Sequence, residues 1–137
     1  MAIDDTTISG GCLCGAIRFQ AHGRPEGAGY CHCASCRRHT GAPVAAFVVF
    51  VREQVDWTTG ARGLFDSSPG VRRAFCRDCG SSLTWEARHR GTDLVEIHIS
   101  ALDDPDAFAP NEHTHWREKI GWLQMADDLP RHDASMP

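Results

Sequence analysis

Three cysteines fall within six residues, Cys31-His32-Cys33-Ala34-Ser35-Cys36. A CxCxxC triplet brings three soft sulfur donors to one point, which suits a zinc ion held by thiolates at about 2.3 Å. Three protein ligands are one short of a closed tetrahedron. A fourth position left for water or substrate marks a reactive centre rather than a structural clip. A metal there would favour the thiolate form of an incoming thiol at neutral pH and polarise a carbonyl oxygen.

The other four cysteines come as two pairs more than sixty residues apart, Cys12 with Cys14 and Cys76 with Cys79. Together they supply the four ligands of a closed structural site, which can contribute on the order of 10 kcal/mol of folding free energy. A second grouping is also open on spacing alone: Cys76 and Cys79 with two triplet cysteines, leaving Cys12 and Cys14 free. Seven is an odd count, and Met1 to Gly10 carries no apolar run. Reduced thiols for metal therefore fit better than a disulfide framework.

Other polar residues have a functional and an ordinary reading. His32 and His39 flank the triplet and could relay protons near neutral pH; a surface or supporting place is the ordinary expectation. Arg37 and Arg38 could meet a substrate carboxylate or offset thiolate charge, against the ordinary solvated arginine. His113 and His115 would share a strand face, with His113 read as a hydrogen-bonder at a sheet edge rather than a ligand. Trp57, Trp85, Trp116 and Trp122 read as core or cover. Glu96 and His98 share a strand face and could reach a pocket, against ordinary cross-strand pairing.

The elements that position these residues are mostly strands. Strand character begins near Ile8, and Cys12-Leu13-Cys14 points both sulfurs to one side because extended side chains alternate. Strands are expected over 15–21, 28–31, 44–51, 64–66, 71–75, 82–87 and 93–99. The near-continuous apolar character of 44–51 implies burial on both faces. Residues 34–38 read as a helical turn ended by Gly41 and Pro43. Residues 53–60 read as a polar loop, and 103–106 as a helix start or turn. Residues 112–119 read as a late edge strand, after which Trp122, Leu123 and Met125 offer apolar cover. Cys76-Arg-Asp-Cys79-Gly80 has the form of a zinc knuckle, its glycine supplying a positive φ.

The chain of 137 residues suits one domain across 1–137. Its metal-binding body would run over about 8–130, with 1–7 and 131–137 frayed. A formal charge of −4 argues against a binder that neutralises nucleic-acid phosphates. The apolar stretch at 44–51 is too short to span a membrane. A cytoplasmic protein is the expectation.

Taken in order, several blocks resemble the glutathione-dependent formaldehyde-activating enzyme family. They are Gly11-Cys-Leu-Cys-Gly15, His32-Cys-Ala-Ser-Cys-Arg-Arg38 with Thr40-Gly-Ala-Pro43, and Phe75-Cys-Arg-Asp-Cys-Gly80. Leu102-Asp-Asp-Pro105, Pro110 with His113, and Trp122 with Asp128-Leu-Pro130 extend the match. The resemblance implies a mainly β, single-domain β-tent zinc fold of packed antiparallel sheets with little helix. It implies two zinc ions, a structural one on Cys12, Cys14, Cys76 and Cys79 and a catalytic one on Cys31, Cys33 and Cys36. It also implies a carbon–sulfur lyase-type activity, adding a thiol such as glutathione to formaldehyde or a related small aldehyde. Two other classes compete with that expectation: a zinc-stabilised module that binds a partner without catalysis, and a thiol redox protein that uses the triplet without metal.

Overall fold

The strongest apolar run forms the strand that divides the molecule. In the computed structural model, which describes residues 6–135, Ala45–Val51 sends Val48 and Phe50 to one side and Phe47 and Val49 to the other, all four buried. Burial on both faces explains why the run lacks the polar alternation of a half-exposed strand. One side of this strand faces the hydrophobic core, and the other faces the triplet cysteines.

In chain order the elements are β1 (Thr7–Gly11), β2 (Arg18–His22), β3 (Gly27–Cys31), α1 (Ala34–Thr40), β4 (Ala45–Val51), β5 (Val55–Thr59) and β6 (Gly63–Ser68). There follow β7 (Val71–Phe75), β8 (Ser82–His89), β9 (Thr92–His98) and β10 (His113–Thr114), with short 3-10 turns between some of them. A seven-stranded sheet has the order β10-β3-β4-β9-β8-β7-β6, and a three-stranded sheet the order β1-β2-β5. All pairings are antiparallel except β10 with β3.

The two sheets meet through Phe19 and Ala21 of β2 and Val55 of β5, which pack with Val48, Phe50, Val95 and Ile97 of the large sheet. Fully burying a side chain such as Phe50 or Ile97 stabilises by roughly 1.5–3 kcal/mol. The contact is close at Gly10, where a Cβ would stand 2.4 Å from the Ala101 carbonyl oxygen and 2.5 Å from the Phe19 ring. Glycine is needed there for approach, not for its φ.

Several expectations need correction. The expected polar loop over 53–60 contains β5, which pairs with β2 through Val55↔Ala21 and Phe19↔Trp57. Its two inward residues suffice because Trp57 packs on Phe19, ring centroids 5.3 Å apart, and carries the Arg62 guanidinium 3.9 Å from its own centroid. The late edge strand shrinks to His113–Thr114 and runs parallel to β3. It stops because His115 turns left-handed, with φ 51°, so His113 and His115 do not share a strand face. Trp122 is 71% exposed and covers nothing.

The stretch after Pro130, expected to be frayed, is tied to β10. The Pro130 carbonyl accepts from the His113 N–H at 2.8 Å, His132 N–H donates back to the His113 carbonyl at 2.8 Å, and Ala134 accepts from His115 at 2.9 Å. At the other end, Thr7 already belongs to β1. Residues 1–5, 136 and 137 lie outside the described residues. No helix among the described residues is long and apolar enough to cross a membrane.

Candidate metal and active centres

The structure groups the cysteines as four and three. One donor sulfur from each of Cys12, Cys14, Cys76 and Cys79 lies within 4.8 Å of the others, and the same holds for Cys31, Cys33 and Cys36. The grouping that would join Cys76 and Cys79 to the triplet is not formed. All seven cysteines are free thiols.

The four-cysteine set joins two turns. Gly15, at φ 82°, follows Cys14, and Gly80, at φ 78°, follows Cys79. The Gly80 N–H returns to the Cys76 carbonyl at 2.9 Å, closing the CxxC turn. Ser81 stitches the turns together: its hydroxyl oxygen accepts from the Leu13 N–H at 2.9 Å and lies 3.2 Å from the Cys79 sulfur. Hydrogen bonding with Ser81 holds the Cys79 thiol down to about 5. The sulfur separations Cys12–Cys14 and Cys14–Cys76 are 3.6 and 3.8 Å. A tetrahedron of thiolates about 2.3 Å from a metal has edges of about 3.8 Å. The donor set therefore fits a closed four-sulfur metal site.

The triplet begins on β3 and ends on α1. Cys31 is the last residue of β3, paired with Ala45 of β4. Cys33 caps α1, its sulfur accepting from the Cys36 N–H at 3.3 Å, and Gly41 ends the helix left-handed at φ 70°. Cys31 and Cys36 are buried, and Cys33 is half-buried. Hydrogen bonds with the Cys31 and Cys36 thiols draw Cys33 far below the ordinary thiol range, so the set holds a thiolate readily.

Beneath the triplet runs a buried polar chain. His32 Nε2 lies 2.8 Å from His113 Nδ1, and His113 Nε2 lies 3.0 Å from the Asp127 carboxylate. The carboxylate only accepts, so His113 donates to it from Nε2, while its Nδ1 shares a hydrogen bond with His32 Nε2. Both rings are fully buried, and the edge of Trp116 meets each. Burial, with the neighbouring His113 next, pushes His32 down to about 4, so it stays neutral at physiological pH. His32 is thus a structural anchor of the loop rather than a surface residue. Arg37 completes the clamp, donating from Nε to the His32 carbonyl at 3.1 Å and from Nη2 to the Glu118 carbonyl at 3.3 Å. Arg38 is exposed, and His39 packs against His98, ring centroids 5.6 Å apart.

The triplet sulfurs open on a pocket of about 160 Å³ whose walls include Phe47, Val49, Trp85 and Leu94. Arg73, Glu96 and His115 add the polar groups. Trp85, read from the sequence as core or cover, thus lines the pocket. Arg73 and Asp127 were not visible as site residues in the sequence. The Arg73 guanidinium is 5% exposed and donates to the Cys36 sulfur at 3.6 Å and to the Ser67 hydroxyl at 3.2 Å. Its signal was its place in β7, where Val71, Arg73 and Phe75 alternate with Arg72 and Ala74 and so share one face.

Larger pockets lie elsewhere, one among arginines and carboxylates over β6 to β9 and another beside Cys12 and His98. Neither includes the three sulfurs.

Comparison with known proteins bears on the family and the fold. The sequence profile of the glutathione-dependent formaldehyde-activating enzymes matches residues 7–118. A Halomonas elongata protein provisionally named as a glutathione-dependent formaldehyde-activating enzyme is 30% identical over 129 residues, covering 86% of this chain and 80% of its own. An uncharacterised lyase of Schizosaccharomyces pombe is 34% identical over 74 residues, 54% of this chain, and the match spans only 53% of that relative's length. A crystal structure of a Rhodobacter sphaeroides protein superposes with a TM-score of 0.62 at 22% identity, covering 77% of this chain and 99% of the other, which shows a shared fold. The chain belongs to the glutathione-dependent formaldehyde-activating enzyme family.

Proposed function

We propose that this protein is an enzyme that adds a thiol, glutathione being the candidate its family name offers, to formaldehyde or a similarly small aldehyde at the Cys31/Cys33/Cys36 centre. The observation that carries the reading is the contrast between the two cysteine sets. Four sulfurs close one site completely, whereas three line a small, largely apolar pocket. The family profile, one relative named as a lyase and another named as a formaldehyde-activating enzyme support a lyase-type reaction of this kind.

Both donor sets suit zinc, Cys12, Cys14, Cys76 and Cys79 as a structural site and Cys31, Cys33 and Cys36 as the reactive one. Zinc bound at the triplet would supply Lewis acidity and lower the proton affinity of a thiol. The chain's own residues do the rest. Phe47, Val49, Trp85 and Leu94 keep the pocket apolar and small, so it encloses the reacting sulfur and aldehyde while the remainder of a tripeptide thiol stays outside. Arg73 lies against the Cys36 sulfur and offsets the negative charge that three thiolates gather. The His32–His113–Asp127 chain fixes the loop carrying the sulfurs. In the reaction a sulfur–carbon bond forms, the carbonyl π bond breaks, and the thiol proton ends on oxygen.

The test measures the exchange rate between free and hydroxymethylated glutathione by magnetisation-transfer NMR, with metal content assayed in parallel. Wild-type protein should raise the rate above the uncatalysed one. Cys36→Ser should lose that increment together with one metal ion per chain. A Cys36→Ser protein that keeps the full rate after losing its metal would refute the reading.

A further inference from the structure

The addition needs a group that takes a proton from sulfur and returns it to oxygen, and neither cysteine set supplies one. We propose that Glu96 is that group, carrying the proton between the thiol and the aldehyde oxygen inside the triplet pocket. The assignment rests on the thiol–aldehyde reading given above.

Four observations carry it. First, Glu96 is the sole carboxylate among the described residues lining the pocket with Cys31, Cys33 and Cys36. Second, the sheet register fixes its direction. Glu96 of β9 stands opposite Val49 of β4 on one side and Trp85 of β8 on the other, and Trp85 in turn stands opposite Arg73 of β7. Opposed residues in an antiparallel sheet share a face, with Cβ atoms about 4.5–5.5 Å apart. All four line the pocket, so this row forms its floor.

Third, Glu96 makes no hydrogen bond or ion pair among the described residues. A carboxylate placed between a valine and a tryptophan is costly, and an apolar residue would pack there at less expense. The other acidic residues near the site are committed: Glu118 meets the Ala34 N–H and His115, and Asp127 serves His113 and Arg131. Glu96 alone is left facing the cavity.

Fourth, the electrostatics suit exchange in both directions. Burial pushes Glu96 up to about 8, with Arg73 opposing and the Cys33 thiolate adding to the rise. A group that titrates close to the working pH serves best as both acceptor and donor. The charged or titratable groups around it are Arg73 from β7, Cys31 at the end of β3, Cys33 capping α1, Cys36 on α1, His89 at the end of β8 and His115 after β10. Farther along its own strand stands His98, which burial pushes down to about 3, leaving it neutral. His89 is exposed, and His115 is turned toward Glu118 at 3.4 Å.

The step balances. The Glu96 carboxylate takes the thiol proton as the sulfur lone pair forms the bond to the carbonyl carbon. The carbonyl π electrons move to oxygen, which takes the proton from the Glu96 carboxyl. The side chain is regenerated, and the reverse sequence cleaves the adduct.

Glutathione and formaldehyde are the probe, with exchange followed by NMR across pH and metal content measured on each variant. Glu96→Gln, which keeps shape and uncharged volume, should retain the wild-type metal content and lose about 100-fold or more of the catalysed increment. The wild-type pH profile should contain a limb near pH 8 that is absent from Glu96→Gln. Glu96→Asp, with a shorter carboxyl, should recover part of the rate and the limb.

Full activity with an unchanged pH profile in Glu96→Gln, while Cys36→Ser is inactive, would overturn the role of Glu96 and leave the thiol–aldehyde reading standing. A wild-type protein that does not accelerate exchange would overturn both. Should Glu96→Gln not fold, Glu96→Asp and the wild-type profile decide: a limb that does not move in Glu96→Asp, with an undiminished rate, would refute the assignment.

Discussion

The half-buried carboxyl on β9 has a consequence for stability that needs no substrate. In the folded chain Glu96 releases its proton at about 8 instead of the ordinary 4.5. Between these values the folded state holds a proton that the unfolded chain has lost. Stability therefore falls as pH rises through that window and levels off above it. Each pH unit is worth about 1.4 kcal/mol, which sets a ceiling of about 5 kcal/mol on the loss. Water reaching the pocket and relaxation around Arg73 reduce it, and about 2 kcal/mol is the expected size.

Glu96→Gln removes the titration while keeping the volume. The two proteins should unfold at nearly the same urea concentration at about pH 5, and the variant should be more stable by about 2 kcal/mol at about pH 8.5, equivalent to roughly 8 °C in Tm. Metal-linked pH effects cancel in the difference, because both proteins carry the same seven cysteines. A metal ion at the triplet would not remove the effect. Three thiolates on a dication leave one net negative charge, the same sign that Cys33 presents to Glu96 here. If the two stability curves run parallel from about pH 5 to about pH 8.5, the carboxyl is not desolvated as described, and the physical basis for its proton-carrying role falls with it.

If the four-cysteine site holds zinc as proposed, Cys76→Ser should unfold the protein in circular dichroism and abolish metal binding there, since such a site would contribute about 10 kcal/mol or more, which rivals the whole stability of an ordinary domain. Cys36→Ser, in contrast, should keep a folded spectrum and lose one metal ion per chain by mass spectrometry under native conditions. Gly10→Ala should cost about 1–3 kcal/mol in urea unfolding, because its Cβ meets the Ala101 carbonyl at 2.4 Å, and backbone cannot give way as a side chain can. Asp127→Ala should speed amide exchange at His113, Thr114 and His132 relative to β4, since it removes the acceptor of the buried His113 ring.

What could be read from the sequence was local. The Cys31-His32-Cys33-Ala34-Ser35-Cys36 spacing confines three sulfurs to one neighbourhood whatever the rest of the chain does, and the CxxCG turn carries its own glycine. The strand at 44–51 announced its two buried faces by being apolar at every position. The parts that escaped depend on distant partners. Whether Cys76 joins Cys14 or the triplet is decided by the turns that Ser81 stitches together, 68 residues from Leu13. The burial of His32 depends on His113, 81 residues away, and nothing near His32 in the chain shows it. Val55 and Trp57 look like isolated apolar residues until β2 lies beside them. Glu96 was visible as a strand charge that could reach a pocket, but ordinary cross-strand pairing was favoured, because only the register with Val49 and Trp85 shows that its neighbours are apolar.

The tie between β10 and β3 also bears on the order of events during synthesis. Every cysteine has been made once Cys79 is added, yet His113 and Asp127, which lock His32, come later in the chain. At about 5–20 residues per second, the stretch from Cys79 to Asp127 takes about 2–10 s to translate. Throughout that interval the triplet loop lacks its lock, and its three thiols are open to metal and oxidant alike. A metal ion met in that interval would meet a loop that His113 and Asp127 only later lock in place.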